Sequence, residues 1–244
     1  MRRLAVIIAV LLLAGVARSG EDDPARRAGA SYTGQTVCVG CHDQKAPDLV
    51  LAWRNSFHAA ARPVDGARGL ALYRAVTGLQ PEGKYRDAGV GCEACHGPGS
   101  LHRESGMPRH IMRYRDLSPA RAAMACGACH SVGHTADGLD YPAGYLPGDD
   151  LAAKFTLDPQ ATGVAARYNE FLRGPHGRSG KLSCTACHEP HGGQVPHQLK
   201  AEGNRLCADC HPTEAERPAR HKPGAERKQC TACHMPGGNH AGKP

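Results

Sequence analysis

The sequence is poor in the side chains that normally build a protein core. Of 244 residues one is Trp and three are Phe, aromatics make up 5%, and mean hydropathy is −0.45. So little apolar side chain cannot offset the entropy of ordering the chain, which argues against an ordinary enzyme domain. Beyond residue 20 no apolar run is long enough to span a membrane. The GxSxG, HExxH and phosphate-loop patterns are absent, which removes three common catalytic and nucleotide-binding readings. Charged residues are only 22%, and the 30 Gly and 18 Pro form no low-complexity tract, so wholesale disorder is excluded as well. Something other than side chains must fill the interior.

What the chain has instead is 12 cysteines and 15 histidines. Every cysteine lies in a CxxC pair, and each pair is followed at once by histidine. The motifs are Cys38-Cys41-His42, Cys92-Cys95-His96, Cys126-Cys129-His130, Cys184-Cys187-His188, Cys207-Cys210-His211 and Cys230-Cys233-His234. A zinc ribbon has no reason to place histidine after every pair. A disulfide framework would not confine all cysteines to one spacing. A thioredoxin-like redox motif would occur once, beside a βαβ pattern that is missing here. CxxCH is the attachment site of c-type haem: the two thiols form thioethers with the porphyrin vinyl groups, and the adjacent imidazole is the proximal ligand to iron. The reading is six covalent c-type haems, held by all 12 cysteines, with His42, His96, His130, His188, His211 and His234 proximal.

The charge fits this reading better than nucleic-acid binding. Loss of Arg2, Arg3 and Arg18 with the first 20 residues lowers the formal charge from +7 to +4. The 12 propionates of six haems, offset by six ferric-core charges, then bring the oxidised holoprotein to about −2, so many Lys and Arg are expected beside propionates. Residues 1–20 read as a secretory signal: Arg2 and Arg3 precede the apolar Leu4 to Val16 run, and small residues follow at Ala17, Ser19 and Gly20. No cysteine precedes Cys38, which argues against a lipid anchor. A periplasmic protein with residues 21–244 as one hexahaem domain is expected, with no membrane span in the mature chain.

At fewer than 40 residues per haem the porphyrins become the core and the polypeptide a wrapping. The expected fold is mostly irregular, with a few short α-helices and little or no β-sheet. Helices are predicted at 47–60, where Leu49, Val50, Trp53 and Phe57 share a helical spacing, at 66–76, at 118–124 with Ser118 as cap and Pro119 first, and at 162–172. Residues 133–148 and 215–229 read as loops, and Glu214 and Glu216 as solvated surface. A weak repeat spans about 36–110, 118–197 and 198–244, each unit carrying two CxxCH motifs and two spare histidines.

The stretch GCEACHGPGSLH (Gly91 to His102) resembles the CHGPGxxH signature of multihaem cytochromes c. Two families share it: the tetrahaem cytochromes linked to hydroxylamine oxidoreductase and the periplasmic decahaem cytochromes of the MtrA/DmsE type. WRNSFH (Trp53 to His58), FLRGPH (Phe171 to His176) and CTACHEPHGG (Cys184 to Gly193) are similar to the repeated part of the latter. This chain has six motifs rather than four or ten, and ends CHMPGGNH where that family usually shows CHxPHG. The resemblance implies a haem-wrapped fold, redox-protein partners such as quinol-oxidising or terminal-reductase proteins, and an outer-membrane porin as a further partner. Together with repeat position, it also implies the distal ligands: His58, His102, His176, His191, His221 and His240. His134 is the first replacement, with His110 and His197 peripheral. Methionine is the rival, but only Met107, Met112, Met124 and Met235 follow residue 20.

Bis-histidine iron has no open position, so the expected function is electron transfer through low-potential haems rather than catalysis. Two alternatives stay open: a reductase or oxidase of nitrogen or sulfur oxyanions with one open haem, and a subunit of an extracellular cytochrome filament.

Overall fold

The structure, a computed structural model, describes residues 28–61, 87, 89–212 and 230–235. The expected signal segment, the predicted helix at 66–76, the loop at 215–229, Glu214, Glu216, His221 and His240 lie outside these residues. Short helices joined by irregular chain make up the rest. The longest runs Gln35–Lys45, and Pro47–Arg54 follows after one residue. Further helices are Cys92–His96, Ser100–Ser105, Pro119–Gly127, Arg167–Arg173, Pro175–Arg178, Arg205–Ala208 and Cys230–His234. The only sheet among the described residues is a two-stranded antiparallel ribbon, Gly133–His134 against Thr156–Leu157, paired Gly133 to Leu157 and His134 to Thr156. No helix in this part is long and apolar enough to cross a membrane.

Local chemistry explains several boundaries. Pro119 opens its helix at the first position, and Ser118 Oγ accepts from Arg121 N at 3.3 Å. That helix continues past the predicted end at residue 124 and delivers Cys126 on its last turn. The helix predicted at 47–60 stops at Arg54 instead. Trp53 Nε1 donates to Val90 O at 3.2 Å, and Val90 N donates to His58 O at 2.9 Å, so tertiary bonds draw the chain off the helical path. The predicted helix at 162–172 divides into a 3-10 turn, Val164–Ala166, and the helix Arg167–Arg173. The predicted loop 133–148 begins with the first ribbon strand, held by Asn169, whose Oδ1 accepts from Val132 N at 3.0 Å and whose Nδ2 donates to Val132 O and Asp158 O, both at 2.8 Å.

Side chains form one small core cluster, Ala123, Leu151, Phe155 and Tyr168, between the ribbon and the helices Pro119–Gly127 and Arg167–Arg173. Cys184 packs against it. Two carboxylates are also buried. Glu93 accepts from the backbone N–H groups of Thr33 (3.0 Å), Gly34 (2.7 Å) and Gly99 (2.7 Å), tying the N-terminal segment to the second CxxCH motif. Asp87 accepts from Gln35 N, the first residue of the first helix.

Candidate haem-binding sites

Helical turns carry most of the motifs. One turn brings cysteines three residues apart onto one face and sets the following histidine beside the first of them. His130 N donates to Cys126 O (2.9 Å), His188 N to Cys184 O (3.0 Å) and His211 N to Cys207 O (2.8 Å), closing that turn in three motifs. Cys38 to His42 and Cys92 to His96 lie wholly within helices.

The histidines then meet in pairs across long stretches of chain. His42 faces His102 with ring centroids 6.2 Å apart and planes at 27°. His96 faces His191 at 6.2 Å and 10°, His130 faces His58 at 6.2 Å and 63°, and His211 faces His176 at 6.0 Å and 40°. Each pair joins one CxxCH imidazole to one of the spare histidines singled out from the sequence. The separation barely changes while the angle runs from 10° to 63°, as it would for rings held apart by a common bridge rather than rings in contact. Two metal–nitrogen bonds of roughly 2 Å, plus half of each ring, put trans imidazoles on one metal roughly 6 Å apart. The spacing fits an iron between the rings.

The outer ring nitrogens are already engaged. His96 Nδ1 lies 2.8 Å from Met112 O, His102 Nδ1 3.0 Å from Met107 O, His58 Nδ1 3.3 Å from Pro190 O, and His188 Nδ1 3.0 Å from His197 O. His191 Nδ1 lies 3.0 Å from Glu189 Oε1. A carbonyl or carboxylate oxygen only accepts, so Nδ1 carries the proton and Nε2 keeps its lone pair for a metal. Burial pushes the pKa values of His42 and His96 down, with neighbouring His102 adding to the effect on His42. Burial, with the neighbouring His58 and His188 imidazoles adding to it, likewise pushes His130 down to about 4. These three imidazoles are neutral at pH 7, the form that binds metal.

The rival methionines have other work. Met107 and Met112 supply backbone carbonyls to ligand-candidate histidines, and Met112 is fully buried. Met235 is exposed. His134 lies exposed on the first strand, and His110 Nδ1 is 2.7 Å from Ser105 Oγ. These carbonyl partners were beyond sequence reasoning, because any residue type can supply one.

The cysteines fit the same group. The 11 cysteines with described side chains are free of disulfides. Cys92 sits beside Cys38, Cys126 beside Cys184 and Cys207 beside Cys230; the neighbouring thiol and burial hold Cys92 and Cys126 above their ordinary pKa, and burial with the neighbouring thiol does the same for Cys207. Cys95 lies close enough to Cys126, and Cys187 to Cys210, to act on one another electrostatically. Successive motifs are therefore neighbours in chain order. Among the described residues no three or more His, Cys, Asp or Glu side chains converge as a bare-ion site would require. At four of the motifs a second imidazole lies opposite the CxxCH histidine and two thiols lie beside it, a donor set that suits haem.

Residues 176–216, holding His176, both motifs between them and His211, match the doubled CXXCH motif family. The multiheme cytochrome MtrA of Shewanella baltica (strain OS185) is 27% identical over 158 residues, covering 57% of this chain and 47% of that protein. The chain thus spans about half the length of this curated relative. Two solved structures also overlap. The outer cell wall cytochrome OcwA gives a TM-score of 0.42 at 22% identity, over 57% of this chain and 42% of its own. The undecaheme cytochrome from the S-layer of Carboxydothermus ferrireducens gives 0.40 at 16%, over 85% and 51%. Both overlaps are too loose to carry an argument about the fold. The six CxxCH motifs, the doubled-motif match and the MtrA relative, taken together, make this chain a multihaem c-type cytochrome that binds its haems covalently.

Proposed function

We propose that the chain is an exported hexahaem cytochrome that relays electrons between redox proteins, each iron held between two histidines. The observation that carries this reading is the set of four imidazole pairs, each joining a CxxCH histidine to a spare one. His188 and His234 complete their haems with His221 and His240, the two assigned ligands outside the described residues. Six-coordinate iron has no vacant position for substrate, so each haem supplies one-electron exchange and nothing else. The protein holds the imidazoles neutral and oriented, and two axial nitrogens with Nδ1 hydrogen bonds keep the potentials low. Proximity of the cysteines of successive motifs supports a row of haems in chain order, from Cys38 to Cys230. The signal pattern of residues 1–20 supports periplasmic delivery, where quinol-oxidising or terminal-reductase proteins would be its partners. An outer-membrane porin belongs to the same proposal through the resemblance to the MtrA/DmsE type.

The test is rapid mixing of the reduced holoprotein with carbon monoxide. Bis-histidine ligation throughout leaves almost no haem that binds within the mixing time. Uptake by about one sixth of the haem, with turnover of nitrite or hydroxylamine, would replace this reading with a reductase.

A further inference from the structure

The fourth CxxCH motif leads into a loop that does more than carry His191. Residues His197 and Gln198 are the only non-glycine residues with positive φ among those described, at 60° and 55°. Two adjacent left-handed residues of this kind are strained and persist only where the surroundings hold them. Here they reverse the chain onto the motif. Glu189 N donates to Gln198 O at 2.7 Å, and Lys200 N donates to Cys187 O at 2.9 Å. Gln198 is itself buried, and its Nε2 donates to Glu189 O (2.9 Å) and Pro190 O (3.1 Å).

That closed loop reaches three imidazoles. His197 O accepts from His188 Nδ1, Glu189 Oε1 accepts from His191 Nδ1, and Pro190 O accepts from His58 Nδ1. On the ligation proposed above, these belong to three different haems: His188 to the fourth motif, His191 to the second through His96, and His58 to the third through His130. The loop is seated on the N-terminal part of the chain at Gly192. Its φ is 104°, and a Cβ there would strike the Ala52 carbonyl oxygen, so only glycine lets the loop approach the helix Pro47–Arg54.

We infer that the Glu189–Gln198 loop, locked by the left-handed His197–Gln198 pair and the Gln198 amide, is a positioning device that sets one axial imidazole on each of three neighbouring haems. Gln198 acts through the carbonyls of Glu189 and Pro190, and His197 through its main-chain carbonyl. The second, third and fourth haems therefore share one source of ligand orientation. A change in the loop moves their redox behaviour together and spares the haems of His42–His102 and His176–His211.

The inference rests on bis-histidine ligation, and the experiment keeps the two separate. Electron paramagnetic resonance of the oxidised holoprotein reads the angle between axial planes: a nearly parallel pair gives a rhombic low-spin signal, and a steeply crossed pair a large-gmax one. The 10° pair (His96–His191) and the 63° pair (His58–His130) are thus distinguishable from the 27° and 40° pairs. Gln198→Ala should shift both extreme signals and the potentials of their haems while leaving the intermediate signals in place. Gln198→Met keeps the volume and removes the donors, so it decides the matter if the alanine variant fails to acquire haem. His197→Gly keeps the carbonyl, relieves the backbone and should retain every wild-type signal. Extreme signals unchanged in the Gln198 variants, or all signals shifted equally, would overturn the positioning role, as would a changed spectrum for His197→Gly. High-spin iron already present in the wild type would instead fault the ligation reading.

Discussion

The pairing of His191 makes the sharpest prediction, because sequence position and structure assign it differently. His191 lies three residues past the fourth motif, so adjacency would give it to the haem on Cys184 and Cys187. Its ring instead lies 6.2 Å from His96 with planes only 10° apart, which on the proposed ligation gives it to the haem on Cys92 and Cys95. His191→Ala removes one axial nitrogen of the 12 that six bis-histidine haems require. About one sixth of the haem should become high-spin, and about the same share should bind carbon monoxide within the mixing time. The rhombic signal of the near-parallel pair should vanish from the oxidised spectrum. A gentler change gives a graded result. Glu189→Ala removes only the acceptor of His191 Nδ1. Loss of such an outer-shell partner typically weakens metal ligation 10–100-fold, about 1.4–2.7 kcal/mol, so imidazole or azide should displace this ligand at correspondingly lower concentration. To locate the affected haem, His191→Ala is combined with Cys92→Ala/Cys95→Ala, which deletes the second haem. On that background His191→Ala should add no further carbon monoxide binding. If the effect survives there and disappears in Cys184→Ala/Cys187→Ala, the pairing argument is wrong.

Other expectations follow from the same geometry. Intact-mass measurement of the mature protein should find six haem additions and no thiol open to alkylation, since every cysteine sits in a CxxCH motif. Glu93→Ala strips the acceptor from three backbone N–H groups, each costing roughly 1–3 kcal/mol when left buried and unpaired, so the holoprotein should unfold at markedly lower guanidinium concentration; an unchanged midpoint would refute the clamp. Acid should convert the haem of His130 late. Its folded pKa is lowered to about 4, so the neutral ligand form is favoured, its contribution is complete above the ordinary histidine value near 6.5, and it is lost as pH falls through about 4. Low-spin bands should persist on descent from pH 7 to about 5, and conversion of this haem already at pH 6 would contradict the assignment.

The parts legible in the sequence were those encoded by contiguous residues. Thioether attachment fixes the CxxCH spacing, so all six CxxCH motifs could be read directly. Ser118 and Pro119 announced their helix because a cap and a first-turn proline act locally. The helix predicted at 47–60 ran too long because Leu49, Val50, Trp53 and Phe57 look like one buried face, yet only Val50 of the four is buried and Phe57 is 71% exposed. A periodic pattern says which residues could share a face, not whether polypeptide will cover it. That His58, His102, His176 and His191 are the spare histidines to expect opposite CxxCH imidazoles was also readable, from motif resemblance and surplus. Their partners were not, since pairing depends on chain reversals such as the one at His197–Gln198 and on main-chain oxygens that carry no residue signature.

The pairing also explains how a chain with three Phe and one Trp can hold a single shape. The repeat is a repeat of sequence, but its units do not close their own ligand sets. His58 of the first unit faces His130 of the second, His191 of the second faces His96 of the first, and His176 of the second faces His211 of the third. On the proposed ligation each of these iron bridges closes a loop of several tens of residues. Each bridge stabilises the folded chain because its two imidazoles converge on one iron only when the chain is folded, so ligation free energy becomes folding free energy. Three such bridges between units supply tertiary linkage that side-chain burial alone would otherwise have to provide. The small cluster around Leu151, Phe155 and Tyr168 then need only fix the local packing of the middle unit. Exchange of ligands serves electron transfer by the same means. A unit whose histidine must reach its neighbour's iron cannot drift from that neighbour, so the cross-links that replace a hydrophobic core also hold successive haems side by side.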